Sequence, residues 1–135
     1  MPRLVLFSAL LALSTSALAD SPAAIAEAGR NRAASSFERF TEEWIEKVRT
    51  LEEKHRTSPT VKQGATDPIV TYRGYAEDYD VEMRPTGNAR APYVGLLRYT
   101  EHVYSCASIK AQECSIASTI PVTEIFRYRE GRWSY

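Results

Sequence analysis

Two cysteines, Cys106 and Cys114, stand seven residues apart between two long stretches of β-type sequence, and no other feature constrains the chain as strongly. Before them runs PYVGLLRYTEHVYS and after them SIASTIPVTEIFRYR, followed by the turn pair Glu130-Gly131 and a short aromatic strand from Arg132 to Tyr135. Both segments are dense in β-branched and aromatic residues. A disulfide closing the loop ASIKAQE is the expected state, and by the chain-entropy model it contributes about 2 to 3 kcal/mol. A redox or metal-binding pair is the alternative. Against it, the chain has no C-x-x-C, and its two histidines, His55 and His102, are far apart in sequence.

The disulfide reading needs an oxidising compartment, and the N-terminus supplies the reason to expect one. MPRLVLFSALLALSTSALAD carries Arg3, an apolar run from Leu4 to Leu13 and small residues ending in Ala17-Leu18-Ala19, the three parts of a secretory signal peptide. Residues 1–19 are therefore read as a signal and the protein as periplasmic or secreted. The apolar run is shorter than the roughly 20 residues of a membrane span, and no later stretch approaches that length, so no integral membrane segment is expected after cleavage. Cleavage leaves 116 of the 135 residues, enough for one core. With Arg3 gone, 16 basic side chains face 17 acidic ones, a balance with no overall electrostatic footprint for nucleic acid.

Periodicity then divides the rest. SPAAIAEAGRNRAAS, within residues 20–34, is rich in alanine and charge and poor in large apolar groups, so it reads as a flexible or frayed helical arm. Ser35-Ser36-Phe37-Glu38 fits a capping box that would open the main helix. Phe37, Phe40, Trp44, Val48 and Leu51 follow at helical steps on one face, while Glu52 and Glu53 fall among the polar positions. The helix is expected to end between His55 and Thr57, ahead of Pro59.

From Thr60 the period becomes two. Residues 68–76 and 79–84 read as strands, the second with Tyr79, Val81 and Met83 on one face, and residues 85–91 as a loop. In 93–105 the odd positions carry Tyr93, Leu97, Tyr99, Glu101 and Val103. In 120–128 the even positions carry Ile120, Val122, Glu124, Phe126 and Tyr128. For the last turn, a two-residue loop sets Tyr128 beside Trp133 and Phe126 beside Tyr135, whereas a three-residue loop with a glycine bulge turns Trp133 outward. The two-residue register is preferred because it gathers the aromatics on one face.

Residues 35–135 thus make a single α+β domain, one long amphipathic helix packed on a four- to five-stranded antiparallel sheet. Its order and pattern resemble cystatin-like and NTF2-like rolls, and FRYREGRWSY resembles the closing hairpin of many NTF2-like domains. VEMRPTGNARAPYVG is similar to a segment of small exported bacterial proteins of unknown function. The NTF2-like resemblance implies a pocket between helix and sheet, where such enzymes place acids, histidines and tyrosines.

Glu101 and Glu124, the two acids in otherwise apolar rows, are accordingly the catalytic candidates. Desolvation could raise the pKa of either to that of a general acid or base. The competing reading pairs each with an arginine such as Arg98 or Arg127. His102 lies on the row opposite Glu101, so no His-acid pair is formed. Val61-Lys62-Gln63-Gly64 does not match the cystatin Q-x-V-x-G loop. No hydrolase, zinc-protease or nucleotide motif occurs, and no cofactor or metal is expected. The leading expectation is a non-catalytic module that binds an unknown protein or small ligand through its sheet face or disulfide loop. The alternative is an NTF2-like enzyme with a pocket carboxylate as general base.

Overall fold

The computed structural model describes Ser21 to Tyr135. The signal peptide and its cleavage site after Ala19 lie outside the described residues. One helix, α1 (Pro22–Thr57), is followed by β1 (Thr60–Lys62), β2 (Ile69–Pro85), β3 (Tyr93–Cys106), β4 (Cys114–Arg129) and β5 (Arg132–Ser134). The strands form an antiparallel meander in the order β1-β2-β3-β4-β5. The domain is α+β, and none of its described helices is long and apolar enough to cross a membrane.

The helix starts earlier than the expected capping box. Ser21 is its N-cap, accepting from the Ala24 N–H at 3.2 Å, and Pro22 takes the first turn, where its missing N–H costs nothing. The chain passes Ser35, the cap expected from the sequence, without a break, and the neighbouring Ser36 does not cap either. Its hydroxyl donates to the Ala33 carbonyl at 2.8 Å, a bond compatible with continuous helix. The alanine-rich turns before it have the intrinsic propensity to continue the helix. The segment expected as a separate arm is thus part of α1, with residues 21–32 exposed.

Burial also rotates the stripe. Ala33, Phe37, Thr41, Ile45 and Val48 are the buried positions, Phe40 and Trp44 flank them half-buried, and Leu51 is 44% exposed. Thr41 can be buried because its hydroxyl donates to the Glu38 carbonyl at 2.8 Å. Leu51 is left out because the last turns of α1 run beside β2. There Glu52 accepts from the Tyr75 backbone N–H at 3.1 Å, beyond the point where β1 stops pairing. Glu52, read as an outward charge, instead covers part of an open sheet edge.

β2 joins the two segments read as separate strands. Between Tyr75 and Tyr79 it holds two residues more than β3 does between Glu101 and Tyr99, and an even insertion preserves the face assignment across the bulge. Of the three residues assigned to that face, Met83 packs on the core while Tyr79 and Val81 stay exposed. The last turn has the two-residue register: Arg129 pairs with Arg132, Tyr128 with Trp133 and Arg127 with Ser134. Glu130 and Gly131 both have positive φ, 49° and 77°, as a type I′ turn requires. Ala33, Phe37, Ile45, Leu97, Phe126 and Trp133 form the buried core.

Candidate functional site

Glu101 and Glu124 both lie on the sheet face that carries Leu97, but they are not brought together. Glu124 pairs with Leu97 across β3 and β4, and Glu101 pairs with Ile120, four positions along each strand. That offset is about 13 Å of strand, too far for two carboxylates to act on one small group.

Each acid has its own partners, and neither has the arginines considered for it. Glu124 is held by tyrosines: the Tyr99 hydroxyl donates to Oε1 at 3.0 Å and the Tyr135 hydroxyl to Oε2 at 2.5 Å. Both phenols are pushed well above the usual tyrosine range, first by burial and then by the hydrogen bond and charge of Glu124. They therefore remain neutral donors at physiological pH. Trp44 stacks edge-on to Tyr135, with ring centroids 5.2 Å apart, and closes one side of the cluster. Glu101, its side chain 13% exposed, faces Arg73 at 3.5 Å. The neighbouring Tyr75 phenol is raised by burial and then by the Glu101 charge. Arg98 turns to the other face, where it bridges Asp80 at 2.8 Å and Glu82 at 2.7 Å.

A general base needs an oxygen aimed at a substrate proton. Both oxygens of Glu124 already accept phenolic hydrogens, and the Glu101 carboxylate is set against a guanidinium. His102 makes its contact with Thr119, Nδ1 to Oγ1 at 3.2 Å, rather than with either acid. Among the described residues, no group of three or more His, Cys, Asp or Glu side chains converges closely enough to hold a metal ion. The Tyr135 partnership was readable from the hairpin register. Once Phe126 is opposite Tyr135, Glu124 is the next residue along the same face, within diagonal reach.

The disulfide is formed, with Cys106 and Cys114 directly paired across β3 and β4 and their Cα atoms 4.0 Å apart. The loop it closes is internally bonded: Ala111 N–H donates to the Ser108 carbonyl at 3.1 Å, and Gln112 N–H donates to the Ser108 hydroxyl at 3.4 Å. Ala111 and Glu113 adopt left-handed backbone, φ 52° and 53°, a conformation that non-glycine residues hold only when their surroundings impose it. At its tip Ile109 is 63% exposed.

The loop leads directly into an unpaired strand edge. β5 pairs only with 127–129, so among the described residues β4 from Cys114 to Phe126 has no strand neighbour on its outer side. Arg127 and Arg129 turn their backbone groups toward β5. By alternation, Ile125, Thr123, Pro121 and Thr119 turn theirs toward the open edge. Pro121 has no N–H to offer there, which leaves the ladder to β3 intact and interrupts the edge. Ile116, Ile120 and Ile125 along this strand are 43 to 53% exposed. Compared with known proteins, the chain matches no family model, no curated protein and no solved structure.

Proposed function

We propose that the protein is an exported, non-catalytic binding module that takes an extended peptide segment of a partner protein along the outer edge of β4, with the disulfide loop as the adjoining contact. The observation that carries this reading is the long unpaired edge itself, continuous with a pre-bonded loop that presents Ile109. Strand addition draws affinity from main-chain hydrogen bonds, here from Thr119, Thr123 and Ile125, and specificity from alternate side chains. A loop already held in its strained shape loses little freedom on binding. The disulfide supports the expectation of export, since such bonds persist in oxidising compartments. The cystatin-like or NTF2-like roll is the finer fold reading we favour, on the strength of a long helix laid against one face of a meander that ends in an aromatic hairpin. The enzyme reading is weakened because the oxygens of Glu124 are already occupied.

Selection from a displayed library of random peptides tests this. Bound peptides should be extended and β-branched, and Thr123→Pro, which removes one outward N–H while leaving the β3 ladder in place, should abolish capture without altering the unfolding free energy by more than about 1 kcal/mol. Peptides that bind equally well to the Thr123→Pro protein would overturn the proposal.

A further inference from the structure

A cleft of about 470 Å³ opens where the end of α1 meets β1 and β2, away from the β4 edge. Its volume falls in the range of small-molecule sites. Three nitrogen-bearing side chains, His55, Lys62 and Arg73, line it together with the hydroxyl residues Ser58, Thr60 and Thr71, and no carboxylate is among the lining residues. Such a wall offers hydrogen-bond donors and positive charge, with Glu101, outside the lining, engaging Arg73 Nε at 3.5 Å. A ligand that is only an acceptor fits it best.

Two local details sharpen this. His55 lines the cleft, and its Nδ1, which is buried and without a hydrogen-bond partner, could meet a ligand atom only if the ring turned toward the cleft. The acids nearby are already engaged. Glu53 pairs with Arg56 at 2.5 Å, Glu52 accepts the Tyr75 N–H, and Glu101 faces Arg73 Nε, holding that guanidinium at the cleft while its side chain remains 65% exposed. The carbonyl end of α1 would repel an anion, but this terminus is partly neutralised. The Ser58 N–H donates to the Lys54 carbonyl, and the Thr57 hydroxyl donates to the Glu53 and Lys54 carbonyls. Tyr72, at the cleft wall, is held neutral by burial and then by the proximity of Tyr104 and Glu52, so it too can donate.

We infer that this cleft is a binding site for a small oxyanion, a phosphate or carboxylate group, held by Lys62 and Arg73 and completed by His55 and the surrounding hydroxyls. The site is independent of the β4 edge and stands or falls separately from it. Its test is a titration of the purified chain, at constant ionic strength, with inorganic phosphate in one arm and succinate in the other, followed by amide and imidazole chemical shifts.

Saturable shifts at Ser58, Thr60, Lys62, Thr71 and Arg73, together with the His55 ring, are the expected result. Lys62→Met should weaken binding by about tenfold, the worth of one charge-assisted contact. Lys62 is exposed, so this variant leaves the core untouched. Arg84→Gln, remote from the cleft, should change nothing. Saturation in one arm alone assigns the ligand class to phosphates or to carboxylates. The inference is overturned if neither arm saturates, or if the shifts are scattered over the surface and unaffected by Lys62→Met.

Discussion

The indole N–H of Trp133 donates to the backbone carbonyl of Ala33, at 3.2 Å across 100 positions of sequence, and so ties the last strand to the helix. The same N–H reaches the Ser36 hydroxyl at 3.1 Å, and that hydroxyl itself donates to Ala33. The Trp133 ring also lies 4.4 Å from Phe37 and 5.0 Å from Tyr128. Trp133→Phe keeps most of the apolar contact and removes only the donor, so it should cost about 1 to 2 kcal/mol. Trp133→Ala also opens a cavity and should cost about 3 to 5 kcal/mol. Urea unfolding checks both, as a lower midpoint at unchanged slope.

Gly95 is the reason Phe37 can lie flat against β3. A Cβ at this position would meet the Phe37 ring at 2.4 Å, and that ring cannot withdraw because Trp133 is packed beside it. Gly95→Ala should therefore destabilise by about 1 to 3 kcal/mol. A second change, Phe37→Leu, should recover part of the loss, giving a double-mutant coupling of about 1 kcal/mol in equilibrium unfolding. Additive effects would mean that the two side chains do not compete for the same space.

These two contacts mark what local pattern can and cannot carry. The two-residue turn was legible because only that register gathers Tyr128, Trp133, Phe126 and Tyr135, and the disulfide because the expected signal peptide pointed to an oxidising compartment. The stripe of α1 was displaced because heptad-like spacing favours the bulky Phe40, Trp44 and Leu51. Contact with the sheet instead selects Ala33 and Thr41, small residues that admit close approach. Phe37 against Gly95 and Glu52 against the Tyr75 N–H are fixed by how the helix crosses β2 and β3, information that no single segment contains. Alternation sets both candidate acids in one row, and the Tyr135 partner of Glu124 follows from the hairpin register, whereas the Arg73 partner of Glu101 depends on the register between β2 and β3.

The tyrosine clamp on Glu124 predicts a pH dependence at the alkaline end. Tyr99 and Tyr135 have folded pKa values above their unfolded ones, by burial first and then through Glu124. Their contribution to stability is therefore whole below the unfolded tyrosine value of about 10, and is lost as pH rises through and beyond it. Tyr135 is 64% exposed, so solvent screens its share and Tyr99 carries most of the effect. Tyr99→Phe should flatten the alkaline fall in thermal midpoint. Glu124→Gln keeps an acceptor but removes the charge, so it should narrow the window from its upper end. Phenolate absorbance followed alongside the unfolding midpoint would check both. An alkaline profile unchanged in Tyr99→Phe would contradict the assignment.

The Cys106–Cys114 bond should matter unequally to fold and to loop. Cys106 is buried at the end of β3, but the core formed by Phe37, Leu97, Phe126 and Trp133 does not include the cysteines. The loop is short, so the chain-entropy gain is limited to about 2 to 3 kcal/mol, and removing the bond should lower stability by no more than that. The double variant Cys106→Ser, Cys114→Ser should accordingly still fold, with β3 and β4 paired from Tyr93 to Ser105. Its loop should respond more strongly, because Ala111 and Glu113 hold left-handed backbone that the closed ring helps to impose. Amide exchange is the discriminating measurement. Protection at Ala111 and Gln112 should collapse in the double variant while protection along the centre of β3 persists. Peptide capture at the β4 edge should weaken along with it, since the loop and the edge share Cys114 as their junction. Unchanged protection at Ala111 would mean that the Ser108 hydrogen bonds alone hold the turn, and the disulfide would then stabilise the domain without shaping the surface it adjoins.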